Sequence, residues 1–314
     1  MIEVRDLTKE YGPRRAINKL SFVINKGEVV GFLGPNGAGK STTMKIITGF
    51  MAPSSGTAKV AGFDVFESPL EVKKRIGYLP ETPPVYTDMY VRDYLSFVAQ
   101  LKQVPKEKIK KQVEMALEKT SLGSVQNRLI HNLSKGFRQR VGIAQALVSD
   151  PEVLILDEPT VGLDPKQVAE IRDLIKELRG HHTIVLSTHI LSEVQATCER
   201  VIIIHQGQIV AQDLIENLSH RERGQGRLTM RFRQEVVDLQ KVLSGIEGVG
   251  TIHQGISGKN WEVNFRGEDE VVDAISSRIV KEGLGLLELS PQKMDLEDVF
   301  LKLTYGSDST GVQP

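Results

Sequence analysis

The segment Gly34-Pro35-Asn36-Gly37-Ala38-Gly39-Lys40-Ser41 constrains this chain more than any other. It fits G-x-x-x-x-G-K-[ST] at every fixed position, follows an apolar run ending at Leu33 and opens the helical stretch STTMKIIT, closed by Gly49. Strand, glycine-rich turn and helix in that order belong to a sheet with helices packed on it. Glycines at 34, 37 and 39 let backbone N–H groups turn inward on phosphate oxygens, and the helix N-terminus adds positive partial charge. The pattern predicts Lys40 on the β- and γ-phosphates and Ser41 on Mg²⁺, with Asn36 and Thr42 in the same phosphate-binding set.

A second segment, Leu133 to Pro165, carries complementary chemistry. Val153-Leu154-Ile155-Leu156 reads as a buried strand that delivers Asp157 and Glu158 to its C-terminal end, where ligands of open α/β sheets bind. Taken alone, an acidic pair there caps a turn or helix as readily. Joined to the phosphate-binding turn, Asp157 is placed to hold Mg²⁺ and Glu158 to polarise an attacking water as general base. The two segments together predict binding and hydrolysis of ATP.

Forty basic residues balance forty acidic ones among 314, so the chain lacks the long-range positive field of a dedicated nucleic-acid binder, and no nucleic-acid partner is expected. Its only cysteine, Cys198, excludes an internal disulfide and a cysteine-rich zinc site and reads as a packing thiol. Val153 to Leu156 and Val201 to Ile204 are only strand length, far short of the ~18 apolar residues that cross a bilayer. The start, MIEVRDLTKEYG, carries acids and lacks the apolar stretch of a secretion signal, so a cytoplasmic location is expected.

Residues 1–218 alternate short apolar runs with amphipathic stretches, the pattern of an α/β fold. Val29 to Leu33, Val153 to Leu156, Thr183 to Ser187 and Val201 to Ile204 are expected as neighbours in one core sheet. Residues 88–148 change to helical character, with Ile109, Val113, Ala116 and Leu117 at helical spacing, and read as an insertion. Ser219 to Gly226 reads as a linker. Residues 219–305 follow the order βαββαβ, which predicts a small α+β ferredoxin-like domain, with a helix at Val236 to Ile246 and a final one from Asp295 to Leu303. Gly306 to Pro314 is expected to fray.

Leu133-Ser134-Lys135-Gly136-Phe137, followed by Arg138-Gln139-Arg140 and then Asp157-Glu158, resembles the signature region of ATP-binding cassette (ABC) ATPases. The resemblance covers residues 1–218. It implies that Tyr11 stacks on adenine, that Glu81 takes the place of a glutamine near Mg²⁺, and that His189 in STHI contacts the γ-phosphate. It further implies a head-to-tail dimer, or pairing with a second ABC subunit, in which Ser134 and Gly136 close on the nucleotide held by Lys40 of the partner. Asp164 would couple the two sites. The sequence departs from the common signature at Lys135, usually glycine, and at Phe137, usually glutamine.

LSKGFRQRVGIAQAL together with MDLEDVFLKLT is similar to ATPase subunits of ABC-2-type exporters, including the multidrug and gliding-motility subfamilies. That resemblance implies a separately encoded transmembrane permease and a peripheral position on the inner face of the cytoplasmic membrane. Two alternatives share the chemistry: an importer ATPase whose C-terminal domain senses a small molecule, and a soluble cassette ATPase acting on ribosomes or DNA.

Overall fold

The computed structural model describes residues 1–221, 225–255, 257–267, 269–293 and 300. The chain divides into two units, Met1–Leu214 and Ile215–Pro314. The division falls ahead of the boundary expected at residue 218.

The first unit begins with β1 (Ile2–Tyr11), β2 (Arg14–Ile24), β3 (Val29–Leu33), α1 (Lys40–Ile47), β4 (Ser55–Val60) and β5 (Phe63–Asp64). There follow α2 (Pro69–Arg75), β6 (Ile76–Leu79), α3 (Val91–Leu101), α4 (Lys106–Lys119) and α5 (Lys135–Leu147). It closes with β7 (Val153–Asp157), α6 (Pro165–Leu178), β8 (Thr183–Thr188), α7 (Leu191–Thr197), β9 (Arg200–His205) and β10 (Gln208–Leu214).

Six of these strands form one sheet in the order β10-β9-β3-β8-β7-β6, parallel except for β10 at one edge. The four apolar runs singled out in the sequence lie side by side in it as β9, β3, β8 and β7. All five residues of β3 and of β7 are buried, because a parallel sheet is covered on both faces. Successive side chains alternate between those faces. Val30, Phe32, Val153, Ile155 and Val185 join a core with α1 and the second sheet, whereas Val29, Leu154, Leu156, Ile184 and Leu186 pack against residues of α5 and α6. Burial of a side chain such as Phe32 contributes about 1.5–3 kcal/mol.

The second sheet, β2-β1-β4-β5, is antiparallel and was not anticipated as a unit. Its strands carry many charged residues with register shifts in β1, which hides the period-2 pattern. The helices α3, α4 and α5 share their own apolar cluster, with Val113, Ala116 and Leu117 buried and Ile109 packed at its margin.

The second unit contains α8 (Ile215–Arg221), β11 (Gln225–Phe232), α9 (Leu239–Val242), β12 (Val249–Gln254), β13 (Asn260–Arg266), α10 (Asp269–Lys281) and β14 (Leu286–Lys293). Its antiparallel sheet has the order β12-β13-β11-β14. Leu228, Met230, Trp261 and Val263 form a core with Leu239, Leu243, Ile275 and Ile279.

Two expectations are corrected in this unit. The stretch read as a linker, 219–226, includes the end of α8 and the start of β11. Gly226 is a strand residue there, paired with Phe265 and Lys293, and its missing side chain leaves room for the Phe265 ring. The helix expected over Val236 to Ile246 is the single turn α9, started by the Asp238 carboxylate accepting from Lys241 N at 2.9 Å. Gly245, at φ +80°, ends helical continuation. The helix expected from Asp295 to Leu303 and the tail from Gly306 lie, Phe300 apart, outside the described residues.

Candidate nucleotide site

The C-terminal ends of β3, β7 and β8 open onto a cavity of ≈ 570 Å³. It is lined by Tyr11, Asn36, Gly37, Gly39, Lys40, Ser41, Thr42, Glu81, Glu158 and His189, and also by Arg14, Ala16 and Val161. Ten of the residues singled out from scattered positions in the sequence therefore meet in one place.

The turn after β3 is shaped by glycine. Gly37 and Gly39 have φ of +80° and +110°, which L side chains rarely adopt. At Gly34 a Cβ would collide with the Ile204 carbonyl of the neighbouring β9. Thr43 Oγ1 donates to Gly39 O at 2.9 Å and ties the turn to the first turn of α1. The Lys40 ammonium, only 6% exposed, donates to Gly34 O at 2.8 Å and Pro35 O at 3.3 Å. It also lies 3.6 Å from Glu158 Oε1, so cation and carboxylate face each other across the cavity floor.

Asp157 ends β7 and is buried. Burial pushes its carboxyl above the usual carboxylate range, an effect that the Ser187 and Ser41 hydroxyls and the Lys40 charge partly offset. Its Oδ1 nevertheless has no well-formed hydrogen bond, as is also true of Ser187 Oγ. A buried carboxylate oxygen without a donor, beside the Ser41 hydroxyl, is the hard-oxygen donor set that suits Mg²⁺ completed by phosphate and water oxygens. Glu81 is exposed at the cavity margin.

Glu158 stands at φ +49°, a backbone conformation that costs a non-glycine residue about 1–3 kcal/mol and persists only where neighbours hold it. Its N–H donates to Ser187 O at 2.8 Å, and Val161 N donates to its carbonyl at 3.3 Å. His189 Nδ1 lies 3.0 Å from both of its carboxylate oxygens.

Arg14 was missed by sequence reasoning. It pairs with Tyr11 across the two-residue Gly12-Pro13 hairpin, so one turn brings a guanidinium and an aromatic ring to the same rim. The Tyr11 hydroxyl donates to Met51 Sδ at 2.9 Å, and the ring is 45% exposed.

Ser134 and Gly136 do not line this cavity. Ser134 caps α5, accepting from Phe137 N at 3.4 Å, and Gly136 packs against the Gln167 side chain of α6. Gln167 N donates to Asp164 Oδ1 at 2.9 Å, which starts α6. The Lys135 ammonium lies directly over Gly162, and Phe137 has the Arg140 guanidinium 6.0 Å from its ring. Cys198 packs at the margin of the core between the sheet, α5 and α6, and burial raises its thiol to about 12.

The model of the ABC transporter family matches residues 17–161. The bacitracin transport ATP-binding protein BcrA of Bacillus licheniformis is 33% identical over 308 residues, 98% of this chain and 98% of that protein. The chain belongs to the ABC transporter ATP-binding family. The ABC transporter ATP-binding protein NatA of Bacillus subtilis is 38% identical over 72% of this chain and 94% of its own length. The linearmycin resistance ATP-binding protein LnrL of the same species is 30% identical over 97% and 98%.

Among solved structures, the ATP-binding subunit of an ABC transporter superposes with a TM-score of 0.65 at 30% identity, covering 70% of this chain and 92% of that one. A dimeric post-hydrolysis state of the cassette MJ0796 bound to ADP and Pi gives 0.63 at 25% identity, covering 68% and 98%. This cassette is accordingly an ATPase that energises transport through a separate permease. No helix among its described residues is long and apolar enough to cross a membrane.

Proposed function

We propose that the chain is the ATPase subunit of an ABC-2-type exporter and works as a head-to-tail dimer, or with a second ABC subunit, on the cytoplasmic face of the membrane. One observation carries the chemistry: Lys40, Ser41, Glu158 and His189 line one cavity, and the buried Asp157 lies next to Glu158 in the chain and beside the Ser41 hydroxyl. Relatives named for bacitracin transport and linearmycin resistance support export as the direction.

In this reading the N–H groups after Gly34 and the Lys40 ammonium hold the β- and γ-phosphates, and Tyr11 stacks on adenine with Arg14 beside it. Ser41 and Asp157, with Glu81 at the margin, would hold Mg²⁺, which supplies charge neutralisation at the transferring phosphoryl group. Glu158 accepts a proton from the attacking water, and His189 orients that carboxylate and contacts the γ-phosphate. Ser134 and Gly136 serve the partner's nucleotide, which accords with their distance from the cavity of their own chain.

The permease contact is assigned to a groove lined by Leu70, Tyr86, Tyr94, Phe97 and Leu101, with Lys102 at its edge. Leu70, Tyr86 and Leu101 are exposed, and such a cluster suits an amphipathic cytoplasmic helix. The order β12-β13-β11-β14 with α9 and α10 supports the ferredoxin-like reading of the second unit, in a dimer-contact or regulatory role.

The test is size-exclusion chromatography of the full chain bearing Glu158→Gln, with and without Mg-ATP. A dimer that forms only with ATP and retains unhydrolysed nucleotide is expected. A monomer under both conditions overturns the dimeric reading.

A further inference from the structure

Beneath the cavity, the chain joins its two catalytic segments a second time. Glu193, in the first turn of α7, is 3% exposed and directs its carboxylate inward. One oxygen accepts from Thr160 Oγ1, in a short hydrogen bond, and the other from Thr188 Oγ1 at 3.0 Å. Both hydroxyls are buried. Thr160 lies two residues after Glu158, and Thr188 immediately precedes His189. The Thr188 hydroxyl also accepts from Ile190 N at 3.1 Å, so it holds the backbone on the far side of His189 as well.

The contacts close a ring. It runs from Glu158 along the chain to Thr160, across to Glu193, across again to Thr188, along to His189, and back through the 3.0 Å contact of Nδ1 with the Glu158 carboxylate. Glu158 and His189 line the cavity, so theirs is the half of the ring that nucleotide and water would meet. The buried half contains no group that faces the cavity, and among the described residues no cation pairs with Glu193. A carboxylate desolvated to this degree, with two hydroxyl donors and no ion partner, is costly to keep for packing alone.

We infer that Glu193 is a positioning residue for hydrolysis: through Thr160 and Thr188 it clamps the Glu158 turn to the His189 turn, so that base and histidine keep their alignment while their direct contact opens. The strained φ of +49° at Glu158 needs such a fixture, because the turn would otherwise relax and swing the carboxylate away. The clamp acts on the water-activating geometry and not on the phosphate-binding turn. Its removal is therefore expected in kcat far more than in ATP affinity. The inference rests on the proposed roles of Glu158 and His189.

The experiment compares the ATPase kinetics of the full chain with Glu193→Ala, Glu193→Gln, Thr160→Val and Thr188→Val, with a fluorescent ATP analogue reporting affinity. Glu193→Ala is expected to lower kcat roughly ten- to hundredfold, the scale on which a small misplacement acts, with KM and analogue affinity within about twofold of wild type. Glu193→Gln, which keeps one acceptor and gains a donor for the second hydroxyl, is expected to recover most of the rate. The two valine variants keep the side-chain shape and remove one hydrogen bond each; both should show the same kcat-selective loss, and they decide the matter if Glu193→Ala does not fold. Wild-type kcat in the valine variants, equal impairment of the Gln and Ala variants, or parallel loss of ATP affinity would each overturn the clamp. Glu158→Gln runs alongside: wild-type turnover in that variant would refute the assignment of the base itself, independently of Glu193.

Discussion

His189 Nδ1 sits 3.0 Å from both carboxylate oxygens of Glu158, two residues 31 positions apart. A carboxylate only accepts, so Nδ1 carries the proton in this arrangement and Nε2 is left to face the cavity. In the proposed mechanism the pair acts as a unit, with the imidazole holding the carboxylate at the angle from which it addresses water.

Units of this kind are non-additive under mutation. Glu158→Gln is expected to reduce kcat by about 10²–10⁴-fold, the usual range for a lost general base. His189→Ala added to it should cost little more. Steady-state phosphate release from the two single variants and the double variant measures this, and fully multiplicative losses would count against joint action.

Asp157 opposes stability to function. Its carboxyl is raised from 3.8 chiefly by burial, so between that value and its folded-state value the native chain binds more protons than the unfolded one. Stability of the nucleotide-free chain should therefore fall as pH rises through that window. Asp157→Asn is expected to remove the fall and to raise the melting temperature at neutral pH while abolishing Mg²⁺-dependent hydrolysis. Thermal denaturation from pH 3 to pH 8 checks it, and equal pH slopes for both proteins would refute it.

Lys40 spends its ammonium on Gly34 O, Pro35 O and the Glu158 carboxylate. Phosphate oxygens are stronger acceptors than those carbonyls. Lys40→Ala should weaken ATP binding by at least about tenfold, from the ~1.5–3 kcal/mol of a charge-assisted bond. Fluorescent-nucleotide titration gives the value, and unchanged affinity would exclude the phosphate-binding role.

Gly162 combines φ +70° with the Lys135 ammonium directly over it. That ammonium is the far end of a flexible side chain and can swing aside, whereas the backbone conformation cannot change without moving the turn that leads to Asp164. Gly162→Ala should cost about 1–3 kcal/mol through φ alone. Adding Lys135→Ala should recover little of it, as read from urea midpoints. Full recovery in the double variant would show that sterics, and not backbone strain, set the cost.

Legibility in the sequence tracked locality. Four of the five parallel strands, buried on both faces, stood out as unbroken apolar runs, whereas the short β6 did not, and the turn from Gly34 to Ser41 carried its strand and helix with it. The antiparallel sheet of β1, β2, β4 and β5 did not stand out, because register shifts and solvent-facing charges blur its alternation. Arg14 was invisible for a related reason: a hairpin turn, and no motif, places it beside Tyr11. The polar run from Ser219 resembled a linker although Gly226 is a strand position shaped by the Phe265 ring.

By itself the sequence determined which chemistry this chain carries, since a phosphate-binding turn, a strand ending in two carboxylates and a signature segment are each written in a few consecutive residues. Only the tertiary structure decided how those groups cooperate. Strands β7 and β8 are joined through the crossover helix α6, and their parallel register sets Asp157 opposite Ser187. That register carries Glu158 to His189 above the sheet and Thr160 to Glu193 beneath the cavity. Adjacency of this kind is a property of strand order and burial, which no local pattern encodes.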